Sequence, residues 1–83
     1  MDKQEIMKIV INVIQKNITM CEEKIQEYTN NDTIMEAIDR ISNNTNTVDD
    51  IIESYKILNE IDTYNKIIMV LSNIVLDIHE KLT

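Results

Sequence analysis

The chain has 83 residues, no glycine, no proline and a net charge of −7 from fifteen acids against eight bases. One core of this size is near the lower limit of self-support, and the absence of both turn-forming residues argues against all-β and α/β folds, whose tight turns call for positive φ. The seven lysines and single arginine, Arg40, are scattered, which argues against the basic face of a nucleic-acid binder and against a polybasic membrane signal.

From the N-terminus, Met7, Ile11, Ile14, Ile18, Cys21, Ile25 and Tyr28 recur at alternating spacings of four and three. That heptad stripe predicts a long amphipathic helix over about 2–29, with Lys8, Asn12, Gln15, Thr19, Glu22 and Gln26 on its opposite face. It ends at Asn30-Asn31-Asp32, whose side chains compete with the backbone for hydrogen bonds. Thr33-Ile34-Met35-Glu36 has the form of a capping box and predicts a short helix over 33–43, with Glu36 and Arg40 as an i,i+4 ion pair. Ser42 to Asn46 is a polar turn, and helices joined this way are expected to need no left-handed residue.

Thr47-Val48-Asp49-Asp50 is a second start signal, and Val48, Ile51, Tyr55 and Leu58 are read as the next stretch of stripe. The rhythm then slips through Ile61 and Tyr64 before Ile68, Leu71, Val75, Ile78 and Leu82 restore it. A slip of this kind predicts a break or kink near Asp62, which gives four segments: 2–29, 33–43, 48–60 and 62–82. The fold class is a small all-α bundle of three to four helices, in a single domain over residues 1–83.

Two stretches are too apolar for a single stripe. Seven of the nine residues from Ile6 to Ile14 are apolar, and Ile67, Val70 and Ile74 form a second row beside Ile68, Leu71 and Val75. A helix apolar over most of its circumference is buried on more than one side. The middle helices, roughly 17–20 Å long at 1.5 Å per residue, are too short to cover the first. Ile6, Ile9, Val10, Val13, Ile67, Val70 and Ile74 are therefore the candidate interface, and the bundle is expected to be completed by homo-oligomerisation, with a homodimer the simplest form.

The residues offer little to catalysis. His79 is the only histidine and lies at a stripe edge near a helix end, and no second histidine or Glu-x-x-His spacing builds a metal site. The clusters Glu22, Glu23, Glu27 and Asp49, Asp50, Glu53 read as solvated faces and helix-start acids, without the glycine turn of a calcium loop. Cys21 falls on the stripe as a small buried hydrophobe, and Tyr28, Tyr55 and Tyr64 as core edges. Acyl carrier proteins share the size and charge, but their Asp-Ser-Leu at a helix start has no counterpart: Ser54 stands in Glu53-Ser54-Tyr55, inside a helix. The expectation is no enzyme, no cofactor and no metal.

With neither a leader-like apolar run nor a spanning stretch, cytoplasmic location and no membrane are expected. Isoleucine and asparagine make up about a third of the chain, a composition suited to an AT-rich genome. Three functions fit: a protein–protein interaction module (regulator, adaptor or chaperone), a phage- or virus-type acidic inhibitor of a nucleic-acid-handling or defence complex, or a small-ligand binder between protomers, drawing on residues such as Asn12, Lys16 and Asn73.

Overall fold

In the computed structural model, which describes residues 1–82, three helices and no strand occur among the described residues: α1 (Lys3–Thr29), α2 (Asp32–Ser42) and α3 (Val48–Leu82). They form a rod of 60 × 17 × 15 Å with a radius of gyration of 18.3 Å. A compact chain of this length would have about 12 Å. The rod is a helical hairpin. Its first arm, α1 followed by α2, runs antiparallel to the single long second arm, and both α1 and α2 pack on α3 while hardly touching each other.

Two contacts give the register. Tyr28 donates its hydroxyl to the Glu60 carboxylate, and Arg40 meets Asp50. Advancing twelve residues on the first arm thus moves ten back on α3, and the interruption at Asn30–Asn31 takes up the difference.

Each boundary has a local cause. Asp2 caps α1 by accepting from the Glu5 amide at 2.8 Å. Asn30 closes α1, and Asn31 opens α2 by accepting from the Ile34 amide at 3.2 Å. The cap of α2 is therefore Asn31 and not Thr33, which already lies inside the first turn of the helix. After α2, the Thr45 amide bonds the Arg40 carbonyl at 2.9 Å and the Asn44 amide bonds that of Ile41 at 3.2 Å. This is a Schellman closure. It needs one left-handed residue, and Asn44 (φ 58°) supplies it, contrary to the expectation that none is required. Asparagine is the non-glycine residue that best tolerates that region.

The expected break near Asp62 does not occur, and α3 is one helix of 35 residues. Nor does its buried stripe pass through Val48, Ile51, Tyr55 and Leu58, all of which are exposed. The seam consists of Asp50, Ser54, Ile57, Ile61, Tyr64, Ile68, Leu71, Val75, Ile78 and Leu82, each buried or half-buried. Their spacing alternates four and three without a fault. The slip came from following apolar residues only, since the true seam begins with a carboxylate and a hydroxyl. With the seam restored, a straight helix needs no change of winding.

The core is thin. Ile11, Cys21, Ala37 and Ile57 are the buried apolar side chains, and none reaches full burial. A hairpin of two helices encloses one line of side chains, so each helix leaves the rest of its circumference to solvent. The accessible surface is 6385 Å², whereas a compact monomer of 9.7 kDa would expose about 5,100 Å². The excess, about 1,300 Å², is on the scale of what protein interfaces bury. A compact bundle within one chain is not what these residues form.

Candidate functional site

In an antiparallel helix pair, residues immediately before a seam residue on either helix share one flank, and those immediately after share the other. This follows from 100° per residue and the reversal of one helix. On α1 the preceding residues include Ile6, Val10, Val13, Asn17 and Met20; on α3 they include Ile67, Val70 and Ile74. All seven residues expected at the interface are between 38 and 58 % exposed. Six lie on this one flank, and Ile9 lies a little further round α1. Met20, missed in the sequence reading, extends the same row. Further along this flank, Met20 and Asn17 border the groove that also contains Tyr64, and Tyr64 in turn shares a groove with Ile67. The two helices thus present one apolar face.

On the opposite flank the polarity is reversed along the rod. Beside α1 that helix's own row is polar, Lys8, Asn12, Gln15, Thr19, Glu22 and Gln26, with Met69 and Leu76 of α3 exposed singly across from it. Beside α2 it becomes apolar: Met35 and Ile38 on α2, and Ile51, Tyr55 and Leu58 on α3, with Val48 and Ile52 adjoining, are between 41 and 71 % exposed. Thr29, Met35, Ile38, Ile57, Leu58 and Ile61 line a shallow cleft there. Sequence reading missed this surface by placing Val48, Ile51, Tyr55 and Leu58 in the core.

At the end of the rod where α2 turns into α3 lies the best-defined polar cluster. Arg40 forks onto Asp50, Nε to Oδ2 at 2.9 Å and Nη2 to Oδ1 at 2.8 Å. The Thr47 amide donates to Asp50 Oδ2 at 3.0 Å, and the Asp50 amide donates to Thr47 Oγ1 at 3.2 Å. That reciprocal pair is a capping box for α3. The Arg40 guanidinium and the Thr47 amide together hold the Asp50 carboxyl well below the usual carboxylate range.

Arg40 therefore serves α3 and not the expected pair with Glu36, because the bidentate fork on a buried carboxylate outcompetes a single exposed contact. Asp50 is likewise no solvated helix-start acid but the buried end of the seam. Ser54, next along the seam, has a buried hydroxyl with no hydrogen-bond partner among the described residues.

At mid-rod, Glu60 accepts from the Tyr28 hydroxyl and pushes its pKa up to about 12, since ionising the phenol would remove that hydrogen bond and set two negative charges together. Tyr28 and Tyr64 are half-buried core edges, whereas Tyr55 is exposed. Cys21 is buried and His79 is exposed. Among the described residues no group of three His, Cys, Asp or Glu is placed to hold a metal ion, and no helix is long and apolar enough to cross a membrane. The chain matches no protein-family model, no curated protein and no solved structure.

Proposed function

We propose that this chain is a non-catalytic protein–protein interaction module, a small regulator, adaptor or chaperone, that works as a homo-oligomer joined through the Ile6–Met20 and Ile67–Ile74 face. The observation that carries this reading is the placement of both surplus apolar rows on one flank of a hairpin whose own core is one side chain deep. Two such faces packed together make a four-helix arrangement, in which those aliphatic rows become a second seam.

Charge supports the same pairing. Outside residues 32–62 the chain carries seven acids and six bases, so two copies meet there with little repulsion. The test is solution mass by light scattering across a hundredfold concentration range. Twice the 9.7 kDa chain mass is expected, and a monomer at every concentration rejects self-association.

A second reading draws on the other end of the rod. Residues 32–62 hold eight acids against two bases, a concentration of charge suited to a phage- or virus-type inhibitor that occupies the basic groove of a nucleic-acid-handling complex. Such binding would fall steeply with salt and would tolerate loss of exposed apolar side chains. An apolar interface would show the reverse.

A further inference from the structure

The apolar patch beside α2 calls for an occupant different from that of the α1 face. Its geometry is a groove between two helices, floored by Ile57 and Ile61 and walled by Met35 and Ile38 on one side and Leu58 on the other, with Ile51 and Tyr55 extending the α3 wall. The α2 wall is 11 residues long, about 17 Å or three helical turns. A third helix laid along such a groove buries its own apolar stripe, the arrangement by which amphipathic helices dock on helical pairs.

Electrostatics then select the occupant. Residues 32–62 carry a net charge of −6, nearly all of the chain's −7. Asp62 follows Leu58 on the same row, and Asp32 and Asp39 flank Met35 at one helical turn on either side. Along the rows that form this flank, no lysine or arginine occurs between Gln26 and Ser42 on the first arm or between Ile51 and Asp62 on α3. Arg40, on the other side of α2, is already committed to Asp50. A second copy presenting the same end would bring like charge against like, which is costly where apolar contact excludes water.

We propose that this groove docks a basic amphipathic helix of a protein partner, with aliphatic residues at i, i+3, i+4 and i+7 in the cleft and lysine or arginine on its edges facing Asp32, Asp39 and Asp62. It deepens the reading of the chain as an interaction module and stands independently of self-association, because the two faces lie on opposite flanks and share no residue.

The test uses a labelled synthetic peptide of about 18 residues, five helical turns, made of leucine at those spacings and lysine elsewhere. Two controls have glutamate in place of lysine, or the same composition scrambled so that no stripe forms. Anisotropy is read against the intact chain. The leucine–lysine peptide binds, the two controls bind at least about tenfold more weakly, and raising salt from roughly 50 to 500 mM weakens the complex.

The double variant Tyr55→Ser, Leu58→Ser loses binding by about tenfold while far-UV circular dichroism and solution mass stay unchanged, since both side chains are exposed. Val13→Glu, on the other flank, leaves peptide binding intact whatever it does to mass. Equal binding of the scrambled or glutamate peptide overturns the proposal, and so does equal weakening by Val13→Glu and by the double variant. A fall in mass in the double variant would make the groove a contact between copies and overturn it too.

Discussion

At the α1 end of the rod the seam is aliphatic on both helices, from Met7 and Ile11 on one side to Val75 and Ile78 on the other, and the exposed surplus beside it is close to neutral. At the α2 end the seam passes through Ala37, Ser54 and the Arg40–Asp50 fork, and the surplus is ringed by acids. Aliphatic seams supply burial but tolerate sliding, whereas a bidentate ion pair is satisfied in one register only. The α1 end thus supplies most of the hydrophobic free energy, and the α2 end fixes which residues of the arms face each other. The same division separates the surfaces: the neutral face suits a second copy, and the acidic one suits a partner of opposite charge.

The largest expected effect lies on the neutral face. Val13→Glu places a charge at the centre of the proposed interface, so the chain should run as a monomer and its thermal midpoint should stop rising with concentration. Leu58→Ser, at the other end, should leave both unchanged. If the two variants behaved alike, the assignment of self-association to the α1 end would fail.

Core truncation should sharpen the contrast. Ile11→Ala is expected to cost about 3 kcal/mol and Ile57→Ala about 2 kcal/mol, both within the usual range for aliphatic-to-alanine changes. The smaller value falls at Ile57 because its end of the seam passes through Ala37 and Ser54, so fewer aliphatic atoms lose contact when it is truncated. Urea unfolding checks the order, and a larger loss at Ile57 would reverse the roles assigned to the two ends.

Asp50→Asn tests the register lock through pH. The folded-state pKa of Asp50 lies well below its unfolded value, which is about 3.9. The lock is therefore fully present above about pH 4 and is lost as pH falls through the folded pKa. The midpoint of the wild type should exceed that of the variant most between pH 5 and 7, and the gap should narrow on acidification. A gap independent of pH would mean that the Asp50 charge contributes nothing to stability.

The smallest effect belongs to the turn joining the two arms at the acidic end. Asn44→Gly relieves a left-handed asparagine but loosens the unfolded chain, so a gain of at most about 0.5 kcal/mol is expected in the same urea experiment. Asn44→Val, with a β-branched side chain at positive φ, should destabilise instead.

Much of the fold was legible in the residues. The absence of glycine and proline, the heptad from Met7 to Tyr28 and the polar breaks at Asn30–Asn31 and Ser42–Asn46 determine an all-helical chain with a long first helix, because periodicity and turn chemistry are local properties. The exposure of Ile6, Ile9, Val10, Val13, Ile67, Val70 and Ile74 was legible for a similar reason: a helix with more apolar residues than one seam can use must leave some of them outside it.

What required the tertiary structure was the identity of the seam on α3. Val48, Ile51, Tyr55 and Leu58 look like core by hydropathy, yet they face solvent, while Asp50 and Ser54 are buried. Counting back from Leu82 in fours and threes through Ile57 leads to Ser54 and Asp50, but only Arg40, brought across from α2, makes a buried carboxylate acceptable there. That partner is ten residues away in sequence and on another helix. Whether a polar residue belongs to a core depends on what the fold sets opposite it, and the acidic groove became visible only once that pairing had turned the apolar row of α3 outward.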